Sequence, residues 1–349
     1  MQVNCIYNHH KIVYVSVAVL RYTDKFLVAK RHMHQHQGGK WEFIGGKIDS
    51  NESAKQALMR EVNEEIGLSL NTDQLVFIGK VYHDYQDKKV CLYTYEVYLT
   101  KKQYHDFLYC QKGLENQDLR WLDIDEMIAK VNQFPVANTR IIDWIGLPNL
   151  LYISHAVDYF GDFDGFVNYY SNQLPKSAYF YYRPCVGTDD AIRLLTLLKS
   201  KRPDINLVVS WSVYQAAYHQ DMMKVLGGVM VKLTCDELEY FSVNVDKLPT
   251  DLPLWVGVHD KKEAMMANRL AKSHRIVAAL ISPVHKTKTH PKAHALGWQG
   301  FESLTKLCDM PSMALGGLTY FDMNHAKHHG AKGIAGIRGL ILSHNSQHY

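Results

Sequence analysis

The chain has 349 residues, 47% of them hydrophobic and 21% charged, with a net charge of +4 when histidine is neutral. That length favours two domains with cores of their own, and so mild a charge argues against a nucleic-acid polymer or an anionic membrane as partner. No apolar run approaches a membrane span, the opening MQVNCIYNHHK has no signal-peptide core, and the six cysteines are scattered without a CxxC pair; a reduced, cytoplasmic protein is expected.

Residues 12–30 read as a strand (IVYVSVAVLRY), a turn at Thr23-Asp24-Lys25 and a second strand (FLVAKR). His32, His34 and His36 alternate in the loop-like stretch that follows, and His325, His328 and His329 cluster near the end. Neither set has a ligand pair at a standard zinc spacing, so surface histidines are expected.

Residues 46–68, GKIDSNESAKQALMREVNEEIGL, carry most of the chemistry. Ser50 or Asn51 is placed to N-cap a helix opening near Glu52, and Gly67 to stop it. Ala54, Ala57, Leu58 and Val62 form an inward stripe that Glu61 and Glu65 continue. Glu61, Glu64 and Glu65 stand at i, i+3 and i+4, so their carboxylates are expected to converge. Like charges on a partly inward face repel, and a hard divalent cation with oxygen ligands removes the conflict. Arg60 can pair with Glu64 one turn on or brace a neighbouring loop.

Two further strands follow, QLVFIGKVYHDY and VCLYTYEVYLT, joined by a turn at Gln86-Asp87-Lys88. Trp121 begins a last segment with helices expected at about 124–131 and 138–145. Gly146-Leu147-Pro148-Asn149 marks the boundary between a domain at 1–146 and another at 149–349. In the second half, short apolar runs alternate with helical stretches: LLYISHA, AYFYYRP, NLVVSW, GVMVKL, LWVGVH, IVAALISPV, PSMALGG and GIAGIRG. That rhythm predicts an α/β chain whose second half is a (β/α)8 TIM barrel.

The stretch from Gly46 to Leu68 fills every fixed position of the Nudix box, and the first 145 or so residues resemble the MutT branch of that family. The flanking VSVAVLRYTDKFLVAKR, KWEFIGGK, HDYQDKKVCLYTY and FPVANTRII extend the likeness. The resemblance implies an α/β/α sandwich with a mixed sheet, dependence on Mg2+ or Mn2+, and hydrolysis of a nucleoside triphosphate, 8-oxo-dGTP, to monophosphate and pyrophosphate. It implies metal ligands at Glu61, Glu64, Glu65 and the carbonyl of Gly45 or Gly46, with Glu52 orienting the box and Arg60 beside the acids. Glu115 matches a loop glutamate that joins the metal or acts as base; a solvated loop acid is the other reading. Asn138 matches an asparagine that reads the oxidised base, and it equally suits the N-cap of the next helix. Arg31 and Lys88 fall at basic phosphate- or nucleoside-contacting positions, and Phe43 and Tyr85 are placed to wall the base. Ile44 replaces the usual proline, which is expected to loosen that loop.

The second half resembles thiamine-phosphate synthase and its TenI-like relatives. Thr287 and Thr289, in SPVHKTKTH, together with Gly316, Gly317 and Arg183, match a phosphate cradle for a phosphorylated small ligand. Ser210-Trp211, Cys185 and His290 stand where the synthase has acidic or basic groups, so loss of synthase activity is expected. A sugar nucleotide or a thiamine-pathway pyrophosphate as substrate, a bifunctional hydrolase and synthase, and a ligand sensor without turnover are the competing readings.

Overall fold

A computed structural model of the protein describes residues 12–85, 87–287 and 294–341. The chain forms two compact units, Met1–Gly146 and Leu147–Tyr349. Among the described residues no helix is long and apolar enough to cross a membrane.

The first unit runs β1 (Ile12–Tyr22), β2 (Lys25–Lys30), β3 (Trp41–Glu42), β4 (Ile44–Lys47), α1 (Ala54–Ile66), β5 (Leu75–Asp84), β6 (Lys89–Tyr98), α2 (Lys101–Phe107), β7 (Leu119–Asp123), α3 (Ile124–Ala129) and α4 (Val136–Ile145). The strands make one mixed sheet in the order β3-β2-β1-β6-β5, with β4 also on β1 and β7 on β2. β1 lies parallel to β6 and antiparallel to β2 and β4.

Strand periodicity sorts this sheet into layers. Ala18 and Leu20 of β1 join Ile44, Leu58, Val62 and Ile66 in the core under α1, and the Ser16 hydroxyl donates to the Ala54 carbonyl at 2.6 Å. Val13, Val15 and Val17, on the opposite face, line a cavity walled by Ala137 and Asn138 of α4. The sheet therefore lies between α1 and α4, as an α/β/α sandwich requires.

Two helix starts differ from the sequence reading. α1 is capped by Ser53, not Ser50 or Asn51, through a reciprocal pair in which Ser53 and Gln56 each bind the other's backbone. Glu52 precedes the cap and turns its carboxylate back to Arg60. α4 opens at Val136 after Pro135, so Asn138 lies inside the helix and is not its N-cap. Gly67 ends α1 in the left-handed conformation, its N–H on the Asn63 carbonyl at 2.8 Å.

The second unit runs β8 (Leu150–Ile153), α5 (Phe163–Gln173), β9 (Tyr179–Tyr181), α6 (Thr188–Lys201), β10 (Asn206–Ser210), α7 (Trp211–His219), α8 (Met223–Leu226), β11 (Val229–Leu233), α9 (Cys235–Val243), β12 (Leu254–Val258), α10 (Lys261–Ala271), β13 (Ile276–Ile281), α11 (Gly297–Thr305), β14 (Ser312–Leu315), α12 (Met323–His328) and β15 (Gly333–Gly336). The strands close into a parallel barrel, β15 pairing with β8. Each apolar run read from the sequence supplies one strand. β12, β13 and β15 are buried along their whole length, as strands covered on both faces must be.

Candidate active site

The acids of α1 reach the cavity past β4, and the Gly45-Gly46 pair makes room for them. Gly45 has φ +151°, and a Cβ there would collide with the Ser16 carbonyl. A Cβ on Gly46 would collide with the Glu61 carboxyl group. The Gly45 N–H instead donates to Glu65 Oε1 at 3.0 Å, and Gln117 Nε2 donates to Glu65 Oε2 at 3.3 Å. Gln117 is a residue the motif did not announce; it is buried, and it comes from the loop before β7.

Arg60 is the hub of the box. Its guanidinium donates to both oxygens of Glu52 at 2.7 and 3.2 Å, to Glu61 and Glu64 at 2.9 Å each, and to the Lys47 carbonyl at 3.0 Å. Pairing with Arg60 holds the Glu52 carboxyl below its usual range. The expected convergence of three acids is thus only partial. Glu61 and Glu64 meet on Arg60, while Glu65 turns toward β4.

Burial raises the Glu61 carboxyl, with the charges of Glu64 and Glu115 adding to the shift and Arg60 opposing it. Burial pushes Glu65 up to about 8, with Glu42 and Glu115 adding to the shift. Glu115 itself is exposed and lines the cavity rim with Glu61 and Glu65. A hard divalent cation fits this donor set. The donors are carboxylate oxygens short of positive charge, and glycine backbone allows close approach. Glu61, Glu64, Glu65, Glu115 and the Gly45 backbone are the groups that would hold it.

The cavity measures about 300 Å³. Asn138 is 7% exposed, and its Oδ1 accepts the Phe43 N–H at 3.3 Å. Phe43 is 2% exposed, lines the cavity and packs on Phe134 with ring centres 6.2 Å apart. Tyr85 stands edge-on to His36 and His83, and its hydroxyl accepts the Ala137 N–H at 3.2 Å. Arg31 pairs with Glu42 and donates to the His36 carbonyl at 2.9 Å. Lys88, half-buried, is held below its ordinary pKa by burial and by the charge of Arg31. Glu42 was not legible as a site residue; burial lifts it to about 7 against the pull of Arg31. Ile44 does not loosen its loop. It is fully buried and pairs with Ala18 across β4 and β1.

In the barrel, Arg183, Thr287, Gly316 and Gly317 share a cavity of about 1060 Å³ with Lys232, His259 and Arg338. Thr289 and His290 lie outside the described residues. Arg183 Nε is buried without a hydrogen-bond partner, which suits an anionic ligand. Gly316 and Gly317 have φ +113° and +68° and pack against Pro283 and His285. Ser210 caps α7 and Trp211 begins it, so neither is an acid facing the cavity. Among the described residues, one trio of ligating side chains gathers within 4.8 Å: Cys235, His259 and Glu263.

The Nudix domain family matches residues 11–145, and the thiamine monophosphate synthase family matches residues 231–340. An 8-oxo-dGTP diphosphatase of Proteus vulgaris is 43% identical over 69 residues, which cover 20% of this chain and 60% of that protein. Its counterpart in Buchnera aphidicola (subsp. Acyrthosiphon pisum) is 30% identical over 111 residues, 32% of this chain and 81% of the relative. A CTP pyrophosphohydrolase of Escherichia coli K12 is 29% identical over 131 residues, 38% of this chain and 87% of the relative. With the box acids, the glycine pair and the α/β/α layers in place, the chain belongs to the Nudix hydrolase family and carries a thiamine monophosphate synthase-like barrel behind its hydrolase unit.

Proposed function

We propose that the first unit hydrolyses 8-oxo-dGTP to 8-oxo-dGMP and pyrophosphate with Mg2+ or Mn2+ bound by the α1 acids, and so clears oxidised nucleotides before they enter DNA. The observation that carries this reading is a single cavity lined both by the Asn138 amide and by Glu61 and Glu65. A base held by the amide then has its phosphates directed at the acids. Nudix hydrolases generally use divalent metal ions. Bound here, such an ion would neutralise phosphate charge and lower the pKa of the attacking water.

The chain's own groups do the rest. The Phe43 N–H engages Asn138 Oδ1 and leaves the amide NH2 as a donor toward the base. Arg31 and Lys88 offset phosphate charge, with Glu42 setting the direction of the Arg31 fork. Arg60 keeps Glu61 and Glu64 on one side of α1, ready to share the phosphate-bound charge or accept the proton from water.

The relative named CTP pyrophosphohydrolase favours a second reading, a pyrimidine triphosphate as substrate. Pyrophosphate release from 8-oxo-dGTP, dGTP, CTP and thiamine pyrophosphate, with and without Mg2+, separates them. Preference for 8-oxo-dGTP over dGTP supports the proposal; preference for CTP overturns it. In the barrel, Arg183, Thr287, Gly316 and Gly317 are proposed to hold a phosphorylated small ligand without synthase turnover, since no acid stands at Ser210 or Trp211.

A further inference from the structure

Cys235, His259 and Glu263 come together at the C-terminal ends of β11 and β12. Cys235 opens α9 two residues after β11 ends, His259 follows the last residue of β12, and Glu263 sits in the first turn of α10. Cys235 Sγ lies 3.3 Å from His259 Nδ1, and Glu263 Oε2 lies 2.9 Å from the same nitrogen. The Glu263 carboxylate is held in place by the His259 backbone N–H at 2.6 Å.

A nucleophilic triad does not account for this arrangement. In a triad the base uses one ring nitrogen for the nucleophile and the other for the orienting acid. Here sulfur and carboxylate crowd one nitrogen, so no proton can be relayed through the ring. Three side chains of the types zinc accepts, gathered about one point, instead form a donor set that a metal ion could use.

On binding, a divalent ion would displace the Cys235 proton, and the resulting thiolate and the Glu263 carboxylate would together balance its charge beside Lys232. Of the three, His259 lines the barrel cavity, with Arg183 and Arg338. Lys232 Nζ and His259 Cε1 would both touch a methyl group placed on Gly257, at 3.4 and 3.5 Å.

We propose that Cys235, His259 and Glu263 bind a zinc ion, with its fourth coordination position open toward the barrel cavity. The mixed sulfur, nitrogen and oxygen set selects zinc over magnesium, whereas the acids of α1 offer oxygen alone. The two sites therefore call for different metals on one chain.

Cobalt(II) is the probe that tells them apart, because only a thiolate ligand gives a sulfur-to-cobalt charge-transfer band. The full-length reduced protein, stripped with chelator, is titrated with Co2+ and then with Zn2+. The band is expected to appear, to bleach on zinc addition, and to vanish in Cys235→Ser while persisting in Cys185→Ser. In competition with a chromophoric chelator, His259→Ala is expected to bind zinc at least about tenfold more weakly. Circular dichroism verifies the fold of each variant; if Cys235→Ser does not fold, the test is the Co2+ affinity of His259→Ala and Glu263→Gln, which is expected to fall in both and whose persistence unchanged in both overturns the site. Absence of the band in the folded wild type, or its survival unchanged in folded Cys235→Ser, overturns the site.

Discussion

Arg60 pairs with three acids at once, one positive charge against three, so the box keeps an excess of negative charge for a cation to offset. Glu61→Gln and Glu64→Gln each remove a carboxylate charge from the proposed metal site, and each is expected to cost at least about 100-fold in pyrophosphate release, with melting temperature little changed. Asn138→Ala removes the amide beside Phe43. The kcat/KM ratio for 8-oxo-dGTP over dGTP is expected to fall by about 10–100-fold, mostly by loss on the oxidised substrate. Glu42 gives a pH test. Its folded carboxyl is raised from 4.5 to about 7, so the folded form holds the proton more tightly than the unfolded chain does. That contribution is complete below about pH 4.5 and is lost as pH rises to about 7. Denaturant midpoints for wild type and Glu42→Gln, measured with chelator present, are expected to shift in favour of the variant across that interval. A constant difference would remove Glu42 as the titrating group. The box acids were legible because their spacing is fixed within one helix. Glu42, Gln117 and the Cys235-His259-Glu263 trio were not, because each depends on which distant segments the fold brings side by side.

The strands of the barrel could be read from composition alone, since a strand covered on both faces is a short uninterrupted apolar run. The start of α1 was harder. Ser50, Asn51 and Ser53 are all competent caps, and only Ser53 has a glutamine three residues on to complete the reciprocal pair. The start of α4 was misplaced because Asn138 is a strong capping residue, whereas the helix begins after Pro135, whose ring already fixes a compatible φ. β4 carries the sharpest prediction. Gly46→Ala places a methyl group into the Glu61 carboxyl group, so hydrolysis is expected to fall as far as in Glu61→Gln. Because β4 pairs with β1 along its length, the same change should also lower the melting temperature, unlike Glu61→Gln. Equal melting temperatures for the two variants would mean that β4 yields without cost.

Each unit has a core of its own, one beneath α1 and one inside the closed strands of the barrel. Calorimetry of the full chain is expected to show Mg2+ with a non-hydrolysable nucleotide raising one transition, and inorganic phosphate raising another in a manner lost with Arg183→Ala. A single transition moved equally by both additions would contradict independent sites. The division into a hydrolase and a barrel was readable from the change of rhythm near residue 146, but the barrel's ligand was not, because the polar groups around its mouth depart from the pattern they resemble. In the first unit, Phe43 and Ile44 are consecutive, yet one faces the cavity lined by Glu61 and Asn138 and the other the core under α1. Glu61 and Glu65 come from α1 on one side of the sheet and Asn138 from α4 on the other, and all three line one cavity. A one-residue slip of β4 along β1 would exchange the Phe43 and Ile44 side chains and carry the glycines away from the carboxylates. Hydrogen-bond register there acts as a ruler between chemistry and recognition, so drift in substrate choice should trace to β4 pairing even when every ligand is intact.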